Sequence, residues 1–252
     1  MAAGSAAPGG QPVPPWQQYA KPERTRQPLS REAIVDAALK IIDEQGFSAL
    51  SMRAVAQALG TGPASLYAHV ANKEQLVDLV MDRVYGEFEV PQPGAAPWQE
   101  QVKEFARSGV RALLAHRGLA AATLGGPPMG PNGLRVMEAG LALVRAAGLP
   151  DELVAYSSEL LGQYMAVAAL EQESVREQFG SVPPEQVAEM MNQFGGYLES
   201  LPPEQFPNLT SMVRSGTFMS HSDEMDRFEL GLDIIIRGLA SYAAASPPVT
   251  QD

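Results

Sequence analysis

The first helical pattern in the chain begins at residue 30. In "SREAIVDAALKIIDEQGF", apolar side chains recur at Ile34, Ala37, Ala38, Ile41 and Ile42, the three-and-four spacing of a helix with one buried stripe. Ser30 stands before the stripe as an N-cap residue, able to take an unpaired amide of the first turn. Gly46 stands after it, where a helix commonly ends in a left-handed backbone. This predicts a first helix over about 31–45. Ser51 then precedes "MRAVAQAL", with Val55 and Leu59 one turn apart and Gly60 as the stop, which predicts a second helix of about two turns.

After Gly60, Thr61 and Gly62, Pro63 suits the first turn of another helix, where its missing N–H would have gone unpaired in any case. A short third helix is predicted over about 63–69. From Asn72, "NKEQLVDLVMDRVYGEFE" carries a stripe of Leu76, Val77, Val80 and Val84, closed by Pro91, Pro93 and Pro97. Further helices are predicted at about 98–116, 133–147, 151–179, 184–200 and 224–244. Period-two alternation is lacking, so the fold class is all-α.

Residues 1–29 hold six prolines among Gly, Ala and Gln, a composition that buries too little apolar surface to offset the entropy of ordering. They read as a disordered arm, in which Lys21, Arg24 and Arg26 are placed either in solvent or against a phosphate backbone. The chain then divides into a three-helix unit at 30–76, a helical bundle at 77–246 and a tail at 247–252. "SVPPEQ" at 181–186 returns as "SLPPEQ" at 200–205, and each copy predicts a helix start, from the fixed φ of proline and the glutamate that follows. The segment 180–222 reads as an insertion between two long C-terminal helices.

Two short helices joined by a glycine turn form a helix-turn-helix. On the third helix Ser65 and His69 share one face and Leu66 and Val70 another, so one face packs while the other offers hydrogen-bonding groups among small neighbours such as Ala68. Small side chains permit close approach to a major groove, where Ser or His meets base edges. Tyr67 and Lys73 suit phosphate contacts, which set register, and Arg53 suits a bidentate contact with guanine. Singly, Ser65 reads equally well as a solvated helix residue, Tyr67 as a rim of the core and His69 as a surface histidine. It is their joint placement after the turn at 60–62 that points to DNA.

The net charge of −11 runs against a DNA-binding surface if it is spread evenly along the chain. Residues 1–83, however, hold eight Lys/Arg against eight Asp/Glu, and the whole imbalance lies in 84–252. A local DNA surface on the first part is therefore electrostatically open. The absence of cysteine excludes disulfides, thiolate catalysis and cysteine-ligated metal. Neither E-x-x-H nor H-x₃-H spacing occurs, and nucleophile elbows and phosphate-binding glycine loops are absent too. The expectation is a non-enzymatic protein without metal or cofactor. Lacking a membrane-length apolar run or a secretory leader, it is expected in the cytoplasm.

"LSMRAVAQALGTGPASLYAHVANKEQLVDLVMDRV" resembles the DNA-binding domain of the TetR family of transcriptional regulators. "RALLAHRGLAAATLGG" and "GQYMAVAALEQE" are similar to segments of the tetracycline repressor that gives the family its name. The likeness covers most of 30–179. It implies a homodimeric, ligand-responsive repressor, with a helix-turn-helix DNA-binding domain at 30–76 and a ligand-binding and dimerisation bundle at 77–246, that leaves a palindromic operator when a small-molecule effector binds. An activator of the same fold and a helical small-molecule binder without DNA function are the alternatives.

The resemblance places Arg53, Ala64, Ser65, Tyr67, His69 and Lys73 at DNA-contacting positions, with Thr61 and Pro63 completing the candidate set; Pro63 stands where the repressor has a base-reading glutamine. For the effector it implies Phe105, Thr123, Gln163, Tyr164 and Glu171. Thr123 and Glu89 stand where the repressor has ligand-binding histidines, the first of them a metal ligand. Glu171 matches its magnesium-shell glutamate, and Gly109 replaces a drug-contacting phenylalanine. A hydroxyl is a poor substitute for an imidazole ligand, so the expected effector is a hydrophobic or aromatic compound other than tetracycline with magnesium. Seven methionines, Met129, Met137, Met165, Met190, Met191, Met212 and Met219, are expected mostly as ordinary core.

Overall fold

Side-chain caps set the first helices as the sequence predicts. A computed structural model describes residues 29–92, 94–216 and 224–245; the arm, the tail and Met219 fall outside them. In α1 (Arg31–Gln45) the Ser30 hydroxyl accepts from the Ala33 N–H, and Gly46 ends the helix at φ 87° with its N–H on the Ile42 carbonyl. Ser51 does the same for α2 (Met52–Ala58) through the Ala54 N–H. Gly60, at φ 63°, donates to the Gln57 carbonyl while Thr61 donates to that of Ala56, the paired closing bonds of a glycine-terminated helix.

The third helix, α3 (Pro63–Tyr67), is shorter than predicted. Val70 turns into the core and Asn72 is held extended as the N-cap of α4 (Lys73–Tyr85), accepting from the Gln75 N–H. Helical geometry therefore cannot continue through His69, which lies in the turn beyond α3. Ile34, Ala38, Ile42, Val55, Leu66, Leu76 and Val80 are fully buried in one cluster. That cluster joins the helix-turn-helix to α1 and α4.

The body contains α5 (Trp98–Ala115), α6 (Pro131–Arg145), α7 (Asp151–Phe179) and α10 (Glu224–Ala245), with a 3₁₀ turn at Ala120–Gly125; a shorter 3₁₀ turn, Phe47–Ala49, joins α1 to α2. α5 packs on α6 and α7. It approaches α7 closely at Gly109, where an added Cβ would overlap Met165 and Phe88. On its other side α5 is tied to α10 by a bidentate Arg107–Glu229 pair at 2.6 and 2.9 Å and by Lys103–Asp233 at 2.6 Å. The described residues contain helices and turns and no strand, in agreement with an all-α fold.

The insertion forms α8 (Pro184–Glu199) and α9 (Pro207–Arg214), packed mainly on each other. The first proline–glutamate signal marks a real helix start, but the second does not. Residues 202–205 close a turn on the Pro202 carbonyl, because Pro207 denies an amide and disfavours helical backbone at Phe206. The helix begins at Pro207 instead. Among the methionines, Met165 is buried whereas Met129, Met137, Met190 and Met212 are exposed, which corrects their expected place in the core.

α4 runs from the N-terminal part into the body, with Arg83 paired to Asp36 of α1 at 3.2 Å. Asp82 supplies the cap that α6 lacks in its own sequence, for Gly130 has no side chain to offer. Its Oδ1 accepts from the Asn132 and Gly133 N–H groups at 2.9 Å each.

Candidate functional site

The helix-turn-helix presents its third helix outward. Leu66 is buried completely, while Pro63, Ala64, Ser65, Tyr67 and Ala68 are exposed around it. One buried leucine therefore anchors a short rod whose remaining surface is small or hydroxyl-bearing. Arg53 near the start of α2 is also exposed, and Thr61 is half-buried in the turn between the two helices. Lys73 opens α4, its Nζ 5.8 Å from the centre of the Phe47 ring, so the lysine stem is steered along that edge while its charge stays in solvent. His69 is half-buried, and its backbone carbonyl accepts from Arg31 Nε at 3.0 Å. Arg31 thus fastens α1 to the end of the rod, a contact spanning 38 residues that helical periodicity does not reveal.

The eight candidate DNA residues fall along α2, the turn before α3, α3 itself, the turn beyond it (His69) and the first residue of α4. Small side chains at Ala64, Ser65 and Ala68 allow the rod to sit deep in a groove. Its short length leaves room for two flanking cations, Arg53 and Lys73.

A second feature lies in the body, where α7 and α10 meet. A cavity of about 220 Å³ is lined by Tyr164, Val167, Ala168, Glu171, Gln172, Arg227 and Phe228. The Tyr164 and Phe228 rings stack at 5.5 Å between centroids and 11° between planes. The Tyr164 hydroxyl donates to the Phe228 carbonyl at 3.0 Å and sits over Gly231, where a Cβ would overlap it. Burial pushes the Tyr164 phenol above its usual range. Glu171 pairs with Arg227 at 3.1 Å, and the buried Gln172 Nε2 lacks a hydrogen-bond partner.

Of the five effector candidates, the structure brings Tyr164 and Glu171 to this cavity. Gln163 is exposed and donates to Glu159 at 3.0 Å. Phe105 is in the core, edge-on to Phe88, and the Thr123 hydroxyl donates to the Ala120 carbonyl at 2.6 Å. Sequence reasoning missed Gln172, Arg227 and Phe228. Local sequence carries no signal for Arg227 and Phe228, because their pairing with α7 bridges more than fifty residues.

Residues 34–80 match the family of bacterial regulatory proteins called tetR, and residues 90–242 match the tetracyclin repressor-like C-terminal domain. The chain belongs to the TetR family. Streptomyces coelicolor ActR bound to actinorhodin has a similar structure, with a TM-score of 0.76 and 46% identity over 86% of this chain and 99% of ActR. The transcriptional repressor DrrR1 of Streptomyces coeruleorubidus is 35% identical over 62% of this chain, and the match spans 59% of that relative's length. The class D tetracycline repressor of Escherichia coli is 28% identical over 83% of this chain and 88% of its own.

As a TetR-family member the chain is a DNA-binding transcriptional regulator that acts as a dimer and responds to a small-molecule effector. The family comprises regulators rather than enzymes. Among the described residues, no helix is long and apolar enough to cross a membrane.

Proposed function

We propose that the protein is a cytoplasmic repressor whose two α3 rods enter successive major grooves of a palindromic operator, roughly 34–36 Å apart. The observation that carries this reading is the outward α3, anchored by the buried Leu66, with Ala64, Ser65, Tyr67 and Ala68 exposed. Arg53 reads a base edge, Tyr67 and Lys73 hold phosphates, and Thr61, Pro63 and His69 shape the ends of the rod. Pro63 has no side-chain donor, so the operator differs at that position from one read by glutamine.

Arg53→Ala is expected to relax preference at one base pair per half-site, a loss of about 1–3 kcal/mol of discrimination. Lys73→Ala should weaken binding to all sequences and make the salt dependence shallower by about one unit per lost phosphate contact. A binding-site selection with fluorescence anisotropy at several salt concentrations separates the two. Unchanged base preference in Arg53→Ala would remove its assigned role.

The effector is assigned to the α7–α10 seam, where the stacked Tyr164 and Phe228, the Glu171–Arg227 pair and the free Gln172 amide offer aromatic and polar contacts together. Support for the kind of compound comes from ActR, which has been crystallised with (S)-DNPA and with actinorhodin. The cavity is smaller than the roughly 300–1,000 Å³ of pockets for drug-sized ligands, so entry must part the seam. A ligand that favours the parted seam shifts the heads toward a spacing that no longer fits the operator, to the extent of its differential affinity for the two states.

The test is a gel shift with the DNA flanking the protein's own gene, repeated with actinorhodin. A retarded band that actinorhodin abolishes is expected, together with a saturable rise in melting temperature. Tetracycline with magnesium should cause neither effect. If neither the flanking DNA nor selected random DNA is retarded, the DNA-binding reading is wrong.

A further inference from the structure

Two adjacent residues of α5 hold two different elements. Arg107 pairs through Nε and Nη2 with Glu229 of α10, at 2.6 and 2.9 Å. Ser108, buried at 3% exposure, accepts from the Glu89 N–H at 2.6 Å. Glu89 lies in the segment that follows α4. One turn of α5 therefore stands between the start of α10 and the end of α4.

On the α10 side, Glu229 is the residue after Phe228, whose ring stacks on Tyr164 and whose carbonyl accepts from the Tyr164 hydroxyl in the cavity wall. A compound that separates Tyr164 from Phe228 displaces the neighbouring residue as well. A two-bond pair between a planar guanidinium and a carboxylate has a fixed geometry, so displacement of the carboxylate either carries Arg107 with it or breaks both bonds. Lys103 pairs with Asp233 at 2.6 Å. The two cations are one turn apart on α5 and the two acids one turn apart on α10 in the opposite sense, so the helices run antiparallel with two ionic rungs.

On the α4 side, Phe88 is buried beside Glu89, edge-on to Phe105 of α5 at 6.3 Å and 5.4 Å from the Tyr85 ring of α4. A Cβ at Gly109 would overlap Phe88 and Met165. Packing this close transmits a displacement instead of absorbing it. α4 carries the displacement on to the DNA-binding unit, since its Leu76 and Val80 are fully buried in the cluster shared with α1 and its Arg83 pairs with Asp36 of α1 at 3.2 Å. Arg111 also reaches the Glu89 carboxylate, at 3.4 Å, but these side chains are 52% and 79% exposed, and an ion pair so open to water contributes little. The link that matters to Glu89 is the buried one through Ser108.

We propose that Arg107 is a positioning residue that couples the effector seam to the DNA-binding unit while touching neither ligand. This role rests on the effector reading of the α7–α10 seam. Ligand entry moves Phe228 and Glu229 together, Arg107 follows, and the α5 turn shifts Glu89 and Phe88 and with them the end of α4. The Lys103–Asp233 rung stays closed and serves as the pivot. Coupling of this kind is reciprocal, so operator binding weakens effector binding by the same factor.

The test titrates wild type, Arg107→Gln, Glu229→Gln, the double variant and Asp233→Asn with selected operator, with and without actinorhodin, and with actinorhodin alone. Each glutamine variant should bind operator and actinorhodin separately within about threefold of wild type, while the factor by which actinorhodin weakens operator binding falls by about tenfold. The double variant should lose no more than either single one, because both act on one contact, and Asp233→Asn should keep the wild-type factor. Arg107→Lys, which keeps the charge without the fork, serves if Arg107→Gln is unstable. Hydrogen exchange on peptides spanning 86–90 needs neither DNA nor effector: Glu229→Gln should speed exchange of the Glu89 amide by about tenfold and leave peptides of α2 unchanged. An unchanged factor in the glutamine variants, additive losses in the double variant, an equal loss in Asp233→Asn or unaltered exchange at Glu89 overturns the proposal. If actinorhodin binds none of the proteins while Glu89 exchange still responds to Glu229→Gln, the effector reading falls and the link from α10 to α4 stands.

Discussion

Replacement of Leu66 by alanine is expected to destabilise the protein by about 2–5 kcal/mol and to abolish operator binding at concentrations where wild type is saturated. Leu66 is the one α3 side chain that is wholly buried, and it packs in the same cluster as Val55 and Val70. Truncation leaves a cavity beneath a helix of only five residues, which has too few internal hydrogen bonds to keep its place without that anchor. Ser65→Ala, one residue away and exposed, should leave stability within about 0.5 kcal/mol of wild type while weakening binding. Denaturant melts read beside anisotropy titrations distinguish the two. A wild-type midpoint in Leu66→Ala would mean that α3 does not depend on its buried face.

The second large effect is expected on assembly. α10 exposes Leu230 and Ile234, 64% and 65% accessible and one turn apart, and α7 exposes Tyr156, Leu160 and Val167. Isolated exposed apolar residues are common, but a stripe of them on adjacent long helices marks an interface. We assign the dimer contact to this face. Leu230→Glu combined with Ile234→Glu should bury four like charges across a two-fold axis and convert the dimer to monomer in sedimentation velocity. Operator affinity should then fall by about 10²–10⁴, because the second half-site is no longer reached by a linked head. A variant that still sediments as a dimer would place the contact elsewhere.

How much of this was legible in the sequence follows from the range of each interaction. Ser30, Ser51 and Asn72 act within three residues of themselves, and Pro63 and Gly60 act on their own backbone, so the helices of the N-terminal part could be placed from local chemistry. The short α3 was over-extended because the competing demands of buried Val70 and extended Asn72 arise from the next helix. α9 was missed because two nearby proline signals compete, and the outcome depended on Pro207 rather than on the repeated motif. The cavity and the contacts of His116, 2.7 Å from Asp43 and 3.2 Å from Glu87, are pairings across the chain. Tyr164 meets Phe228 over 64 residues, and His116 meets Asp43 over 73. Periodicity sees which face is apolar, but it does not see which polar group will arrive opposite.

Asp82 has a practical consequence for anyone building hybrid sensors. Because α6 takes its N-terminal cap from a carboxylate on α4, the helix boundary of the body is written partly in the segment that leads out of the DNA-binding unit. A chimera that joins this body to a foreign head must therefore place its junction ahead of residue 82, so that the aspartate travels with the helix it completes.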